Sequence, residues 1–190
     1  MRSDLVSLQR RPFMAPIWLT VGFAFLGFCF AIFTVWVWAT AGATTVIVIR
    51  HAEKDLSVSA SDPPLNPAGA ARAALLANMF GDRRPLGRLD AIYVSPALRN
   101  RETGRLLAER IGVPETVVPA DNPKGLAQRA LSEYRGGRVL IVGHSDTVPA
   151  IVAALSGNSK IPDIGDQEYG TMYIVTVPRI GQPNLLRLHY

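Results

Sequence analysis

The sequence predicts an α/β fold. It is a three-layer sandwich with a mostly parallel central sheet and helices on both faces, preceded by one N-terminal transmembrane helix. Three observations carry the prediction. The apolar runs Val46 to Ile49 and Val139 to Val142 lack polar alternation, as strands covered on both faces do. Helix-forming stretches alternate with such runs, which is the rhythm of a parallel-core sandwich. Ahead of both, Ile17 to Ala39 is almost wholly apolar, and a helix needs roughly 20 such residues to cross a bilayer.

That first element sets the domain organisation. No Asp, Glu, Lys, Arg or His occurs from Pro12 to Ile49. Trp18 near one end and Trp36 and Trp38 near the other suit the interfacial aromatic belt. Arg2, Arg10 and Arg11 precede the segment, and the next cation is Arg50. The positive-inside rule then keeps residues 1–16 as a cytoplasmic tail, makes 17–39 a transmembrane helix or signal anchor, and puts a domain over 43–190 outside the cytoplasm. The rival is a signal sequence cut near the Ala39-Thr40-Ala41 triplet, which would leave that domain secreted or periplasmic. The apolar run exceeds the roughly 7–15 residues of a signal core, which favours the anchor.

The domain reads in order. Thr44 to Arg50 is a strand, and 56–67 is a loop rich in turn formers. Pro67 to Phe80 is a helix stopped by Gly81. Leu89 to Ser95 is a strand, and Ser95-Pro96 caps and opens a helix running to Ile111. Thr116 to Ala120 is a short strand. Lys124 to Tyr134 is a helix, Arg138 to His144 a strand, and Thr147 to Leu155 a helix. Two late strands, 171–177 and 185–190, suit an antiparallel hairpin at an edge.

Composition narrows the function. The chain has 190 residues, a net charge of +5 and one cysteine, Cys29. With Arg2, Arg10, Arg11 and Asp4 set aside, the remainder carries 17 basic against 14 acidic groups. No basic patch interleaved with aromatics supports nucleic-acid binding. One cysteine builds neither a disulfide nor a thiolate metal site within the chain.

Two apolar strands end on histidine at the same end, the first on His51 and the other on His144. In an open α/β sheet, ligands bind outside the carboxyl ends of the strands. Arg99 lies near the start of the helix after the second strand, and helical side chains lean toward the N-terminus, back toward that rim. Arg50, Arg99, His51 and His144 then surround one small volume that suits a phosphoryl group.

Three motifs carry this constellation: Arg50-His51, the segment Tyr93 to Thr103 (YVSPALRNRET) and the segment Val142 to Val148 (VGHSDTV). Together they resemble the histidine phosphatase superfamily, or phosphoglycerate mutase-like fold. Ala52 stands where that family's Arg-His-Gly signature has glycine. The resemblance implies that His51 attacks phosphorus and becomes a phosphohistidine. It implies that Arg50, Arg99 and His144 bind the phosphoryl oxygens, with no metal and no other cofactor. It also implies a carboxylic acid for the leaving oxygen. Glu53 and Asp146, each two residues beyond a histidine, are the candidates, with Glu53 preferred. Glu115, Asp121 and Glu133 lie outside any recognisable motif, and Glu168 to Gly170 is a candidate rim loop. The implied partner is a phosphorylated small molecule or phosphorylated envelope component.

Other readings compete. His51, Glu53, His144 and Asp146 have the ligand types for a metal-dependent hydrolase, although two fixed arginines beside them oppose a cation. An anchored module that only binds phospho-ligands follows if no acid serves the site. The Gly143 to Thr147 segment lacks the last glycine of a serine-hydrolase elbow, and Ser145 reads better as a helix cap.

Overall fold

The computed structural model describes residues 16–40, 42–57, 59–81 and 88–190. The tail with Arg2, Arg10 and Arg11, and Ala41 of the cleavage-site candidate, lie outside the described residues. The chain divides into two compact units, Met1–Trp38 and Ala39–Tyr190.

The first unit holds helix α1 (Ile17–Thr40). Over Ile17–Trp38 it is long and apolar enough to cross a membrane. Its Thr20 and Thr34 hydroxyls donate to the carbonyls of Ile17 and Ala31, each at 2.8 Å. Their polar groups are therefore satisfied within the helix, as a lipid environment requires.

The second unit is a layered α/β domain. Its elements are β1 (Thr44–Arg50), α2 (Pro67–Gly81), β2 (Ala91–Val94), α3 (Leu98–Ile111), β3 (Glu115–Val117), α4 (Pro123–Glu133), β4 (Arg138–Gly143), α5 (Thr147–Ser156), β5 (Thr171–Val177) and β6 (Asn184–His189). The strands form one sheet in the order β3-β2-β4-β1-β5-β6. Alternate side chains of each strand face opposite layers. Ile47, Ile49, Ile92, Val94, Leu140 and Val142 meet Leu76 and Phe80 of α2 and Leu107 of α3 on one face. Val46, Val48, Tyr93, Val139 and Ile141 meet Ala127 and Ala130 of α4 and Ile151 and Leu155 of α5 on the other. Each fully buried Val, Leu or Ile contributes about 1.5–3 kcal/mol, so the unbroken apolar runs are explained by two covered faces.

The sheet corrects one expectation: it is mixed, not mostly parallel. β1, β4, β2 and β3 are parallel. β5 runs antiparallel to β1, with Ile49 opposite Met172, and β6 antiparallel to β5. The cause lies in the segment 157–170. It carries the chain back to the rim where β1 ends, so β5 enters from that rim and runs the other way.

Three boundaries also move. β3 stops at Val117, opposite the last residue of β2, Val94, whose carbonyl accepts the Val118 N–H at 2.9 Å. α3 begins at Leu98 with Ala97 as N-cap, not at Ser95-Pro96. The N-cap of α5 is Asp146, with no side-chain capping bond, so Ser145 does not cap it.

Candidate active site

Register brings the two histidines together. β1 and β4 are parallel neighbours with Arg50 opposite Gly143, so the next residues, His51 and His144, leave the sheet side by side. The His51 backbone N–H donates to the Gly143 carbonyl at 2.9 Å. The imidazole centroids are 5.5 Å apart and the rings meet edge to face.

The contacts of His51 fix its tautomer. Nδ1 lies 2.8 Å from the Ala52 carbonyl, which can only accept, so Nδ1 carries the proton. Nε2 therefore holds the lone pair, and Arg99 Nε donates to it at 3.3 Å. His51 is 4% exposed. Burial, helped by the charges of Arg99, Arg50 and His144 and opposed by the Ala52 carbonyl, lowers its pKa to about 4. The ring is therefore neutral at physiological pH, with its Nε2 lone pair available. Burial also lowers the pKa of His144, aided by Arg99 and Arg50 against Asp146 and Asp62. His144 Nε2 is 2.8 Å from the Ser95 hydroxyl.

α3 is bound to both histidine segments. Thr103 Oγ1 accepts the Ala52 N–H at 3.0 Å and donates to the Arg99 carbonyl at 2.7 Å. Asn100, fully buried, donates from Nδ2 to the carbonyls of Val142 and Gly143, each at 3.0 Å. Arg99, directly before these two anchors in α3, lines the cleft at the strand ends. Arg101 is exposed, as its helix position implies.

Arg50 is 4% exposed and docks on the rim loop. Its Nη1 donates to the carbonyls of Gly165, Asp166 and Glu168 at 2.7, 3.0 and 3.2 Å. Its guanidinium carbon lies 4.3 Å from the Tyr169 ring centre, and that ring is 6.0 Å from His51. Arg50 Nε is buried without a hydrogen-bond partner among the described residues. The segment Glu168 to Gly170 thus borders the site through Tyr169. Glu168 itself pairs with Arg187 at 2.6 Å.

The cleft encloses about 360 Å³ and is lined by Arg50, His51, Lys54, Arg99, His144 and Asp146, with Ala120, Ser145, Thr147 and Asp166 completing it. Glu53 does not line it. Arg72 of α2 takes the Glu53 carboxylate at 2.7 Å, and Arg72 Nε lies 3.0 Å from both of its oxygens. Burial pushes the Glu53 pKa up, but Arg72 outweighs it and the net shift is downward. A carboxyl held ionised is a poor proton donor. Glu115, Asp121 and Glu133 do not line the cleft either. Glu115 is raised to about 7 by burial, and Glu133 accepts from Tyr93 at 2.7 Å. His189 lines a separate cavity with Arg72 and the far side of the rim loop. The set His51, Glu53, His144 and Asp146 is not gathered as metal ligands. Among the described residues no group of three or more His, Cys, Asp and Glu could hold a metal.

Lys54, Asp62, Ser95, Asn100 and Asp166 complete the surroundings and were not singled out for the site by the sequence. The signal for Asn100 was its place beside Arg99. Asp62 sits in a turn-rich loop with no periodicity to mark it.

A family model of the histidine phosphatase superfamily (branch 1) matches residues 46–121, from β1 to the segment after β3. Solved structures share the fold. The protein histidine phosphatase SixA complexed with tungstate is 22% identical, with TM-score 0.60 over 76% of this chain and 96% of that one. A mycobacterial glucosyl-3-phosphoglycerate phosphatase is 17% identical, with TM-score 0.59 over 75% and 97%. A SixA from Agrobacterium tumefaciens is 24% identical, with TM-score 0.54 over 75% and 97%. Among curated proteins, none matches the sequence.

Proposed function

We propose, for a chain that shares the motifs, family model and fold of the histidine phosphatase superfamily, that it is a phosphatase hydrolysing phosphomonoesters through a phosphohistidine on His51. One observation carries the reading: His51 is buried and neutral, with its Nε2 lone pair facing Arg99 at 3.3 Å and His144 alongside. Nε2 attacks phosphorus in line with the leaving oxygen. The P–N bond forms as the P–O bond breaks. Arg99 and His144 stabilise the charge on the equatorial oxygens, and Arg50, whose buried Nε has no hydrogen-bond partner among the described residues, adds its charge.

The leaving oxygen needs a proton. Asp146 is the acid we assign, because it lines the cleft while Glu53 is held by Arg72. Water then attacks the phosphohistidine. Asp146 takes its proton back from that water, the P–N bond breaks, and phosphate leaves with neutral His51 restored.

The substrate we propose is a phosphorylated small molecule or phosphorylated envelope component. We further propose a membrane protein anchored by α1 with the catalytic unit outside the cytoplasm, a reading supported by the length and apolarity of that helix; cleavage to a secreted or periplasmic form is the alternative. The separation of Glu53 from the cleft favours one second reading, a module that binds phospho-ligands without turnover. p-Nitrophenyl phosphate separates the two, because its leaving group scarcely needs an acid. The full chain in detergent should release phosphate from it and trap acid-labile phosphate on the protein. His51→Ala should abolish both. Full activity in that variant would refute the nucleophile, and ligand binding without turnover in the wild type would favour the binding module.

A further inference from the structure

Helix α3 begins without a cap of its own. Its N-cap, Ala97, makes no side-chain bond, so the Leu98 N–H must find an acceptor elsewhere. It finds Asp62, in the loop between β1 and α2, whose Oδ2 and Oδ1 accept at 2.9 and 3.1 Å. The same Oδ1 is 3.3 Å from Arg99 Nη1. On its other side, that guanidinium presents Nε to His51 Nε2 at 3.3 Å. Arg99 therefore bridges an acid and the attacking nitrogen.

The loop that delivers Asp62 is closed at its neck. The Asp55 N–H donates to the Pro64 carbonyl at 2.8 Å and the Asn66 N–H to the Glu53 carbonyl at 2.9 Å. Lys54 and Leu65 form an isolated antiparallel bridge. The Leu65 N–H donates to the Glu102 carboxylate at 2.7 Å, which ties the loop to α3 itself. Pro63 and Pro64 stiffen the chain directly after Asp62. Helix α2 packs directly against this neck: a Cβ on Gly69 would collide with the Glu53 carbonyl.

We infer that Asp62 is a positioning residue for Arg99: it caps the start of α3 from outside the helix and holds the guanidinium in the orientation that faces His51 and an incoming phosphoryl group. The inference rests on reading the cleft as a phosphoryl site. Asp62 touches neither phosphorus nor the leaving group and acts through Arg99. Two effects oppose each other. Its negative charge repels an anion, but its side chain is 49% exposed and that repulsion is screened. Orientation removes rotamer freedom that Arg99 would otherwise lose on binding phosphate. The orienting effect outweighs the screened repulsion, so removing Asp62 weakens binding.

The test uses the full chain in detergent as wild type, Asp62→Ala, Asp62→Asn, Arg99→Ala and the double variant Asp62→Ala with Arg99→Ala. Affinity for inorganic phosphate is measured by calorimetry, and p-nitrophenyl phosphate turnover is measured in parallel. Asp62→Ala should weaken phosphate binding about fivefold, the upper range for a half-exposed pair. In the Arg99→Ala background the same change should have no further effect on phosphate affinity. Asp62→Asn keeps an acceptor for the Leu98 N–H. It should melt as the wild type does yet lose about twofold in affinity, because the charge-assisted contact is gone. Unchanged affinity in Asp62→Ala, or an equal loss with and without Arg99, overturns the inference. A wild type that binds phosphate but never hydrolyses it sinks the phosphatase reading and leaves the affinity comparison decisive for Asp62.

Discussion

The proposed attack on phosphorus needs one bare nitrogen on His51, and the backbone decides which. The Ala52 carbonyl accepts the hydrogen bond from Nδ1–H of His51, leaving the lone pair on Nε2. Burial first, then the neighbouring cations, depresses the pKa to about 4. Between pH 6.5 and 4 the unfolded chain binds a proton that folded His51 refuses. Stability from this group is therefore present above pH 6.5 and is lost as pH falls toward 4. The loss amounts to about 3 kcal/mol for His51. His144, also depressed, acts in the same direction. Thermal melts of the full chain should show the midpoint falling across that window, and His51→Ala should flatten the fall in part. Four site residues, Arg50, His51, Arg99 and His144, were legible because strand ends and a helix start are visible in sequence. The fate of Glu53 was not. Its partner Arg72 comes from another element, and nothing local announces that an ion pair across the fold will withdraw a carboxylate from the cleft.

Helix α3 does more than present Arg99. Thr103 grips the segment after β1, and Asn100 grips the end of β4. One helix thereby clamps both segments whose spacing the β1–β4 register sets. Thr103→Val keeps shape and deletes the acceptor for the buried Ala52 N–H. It should destabilise the domain by about 1–3 kcal/mol, read in denaturant melts. Turnover should fall with it, because Ala52 and the nucleophile move together. A variant with wild-type stability would show that Ala52 finds another partner. Most helices and strands of the domain were readable from apolar runs and breakers. The start of α3 was misplaced because Ser95 carries every mark of a cap, yet its hydroxyl serves His144. The direction of β5 was unreadable for a related reason. An apolar run specifies burial, whereas direction depends on where segment 157–170 delivers the chain.

The two units of the chain differ in what they expose. α1 has the length and apolarity for a bilayer, while the unit from Ala39 buries a core on both faces of its sheet. Full-length protein should sediment with membranes and require detergent for release, and a chain lacking residues 1–41 should appear in the soluble fraction. Retention of the truncated chain on membranes would mean that the catalytic unit carries its own affinity for lipid.

The antiparallel entry of β5 has a consequence for how such a protein can diversify. Arg50 is moored to carbonyl oxygens of Gly165, Asp166 and Glu168, groups that every amino acid supplies alike. Mutation can rewrite side chains along this stretch, at Asp166 and Gln167 for instance, without casting off the arginine. Descendants of this chain can thus acquire new tastes in cargo while inheriting an unaltered chemical engine.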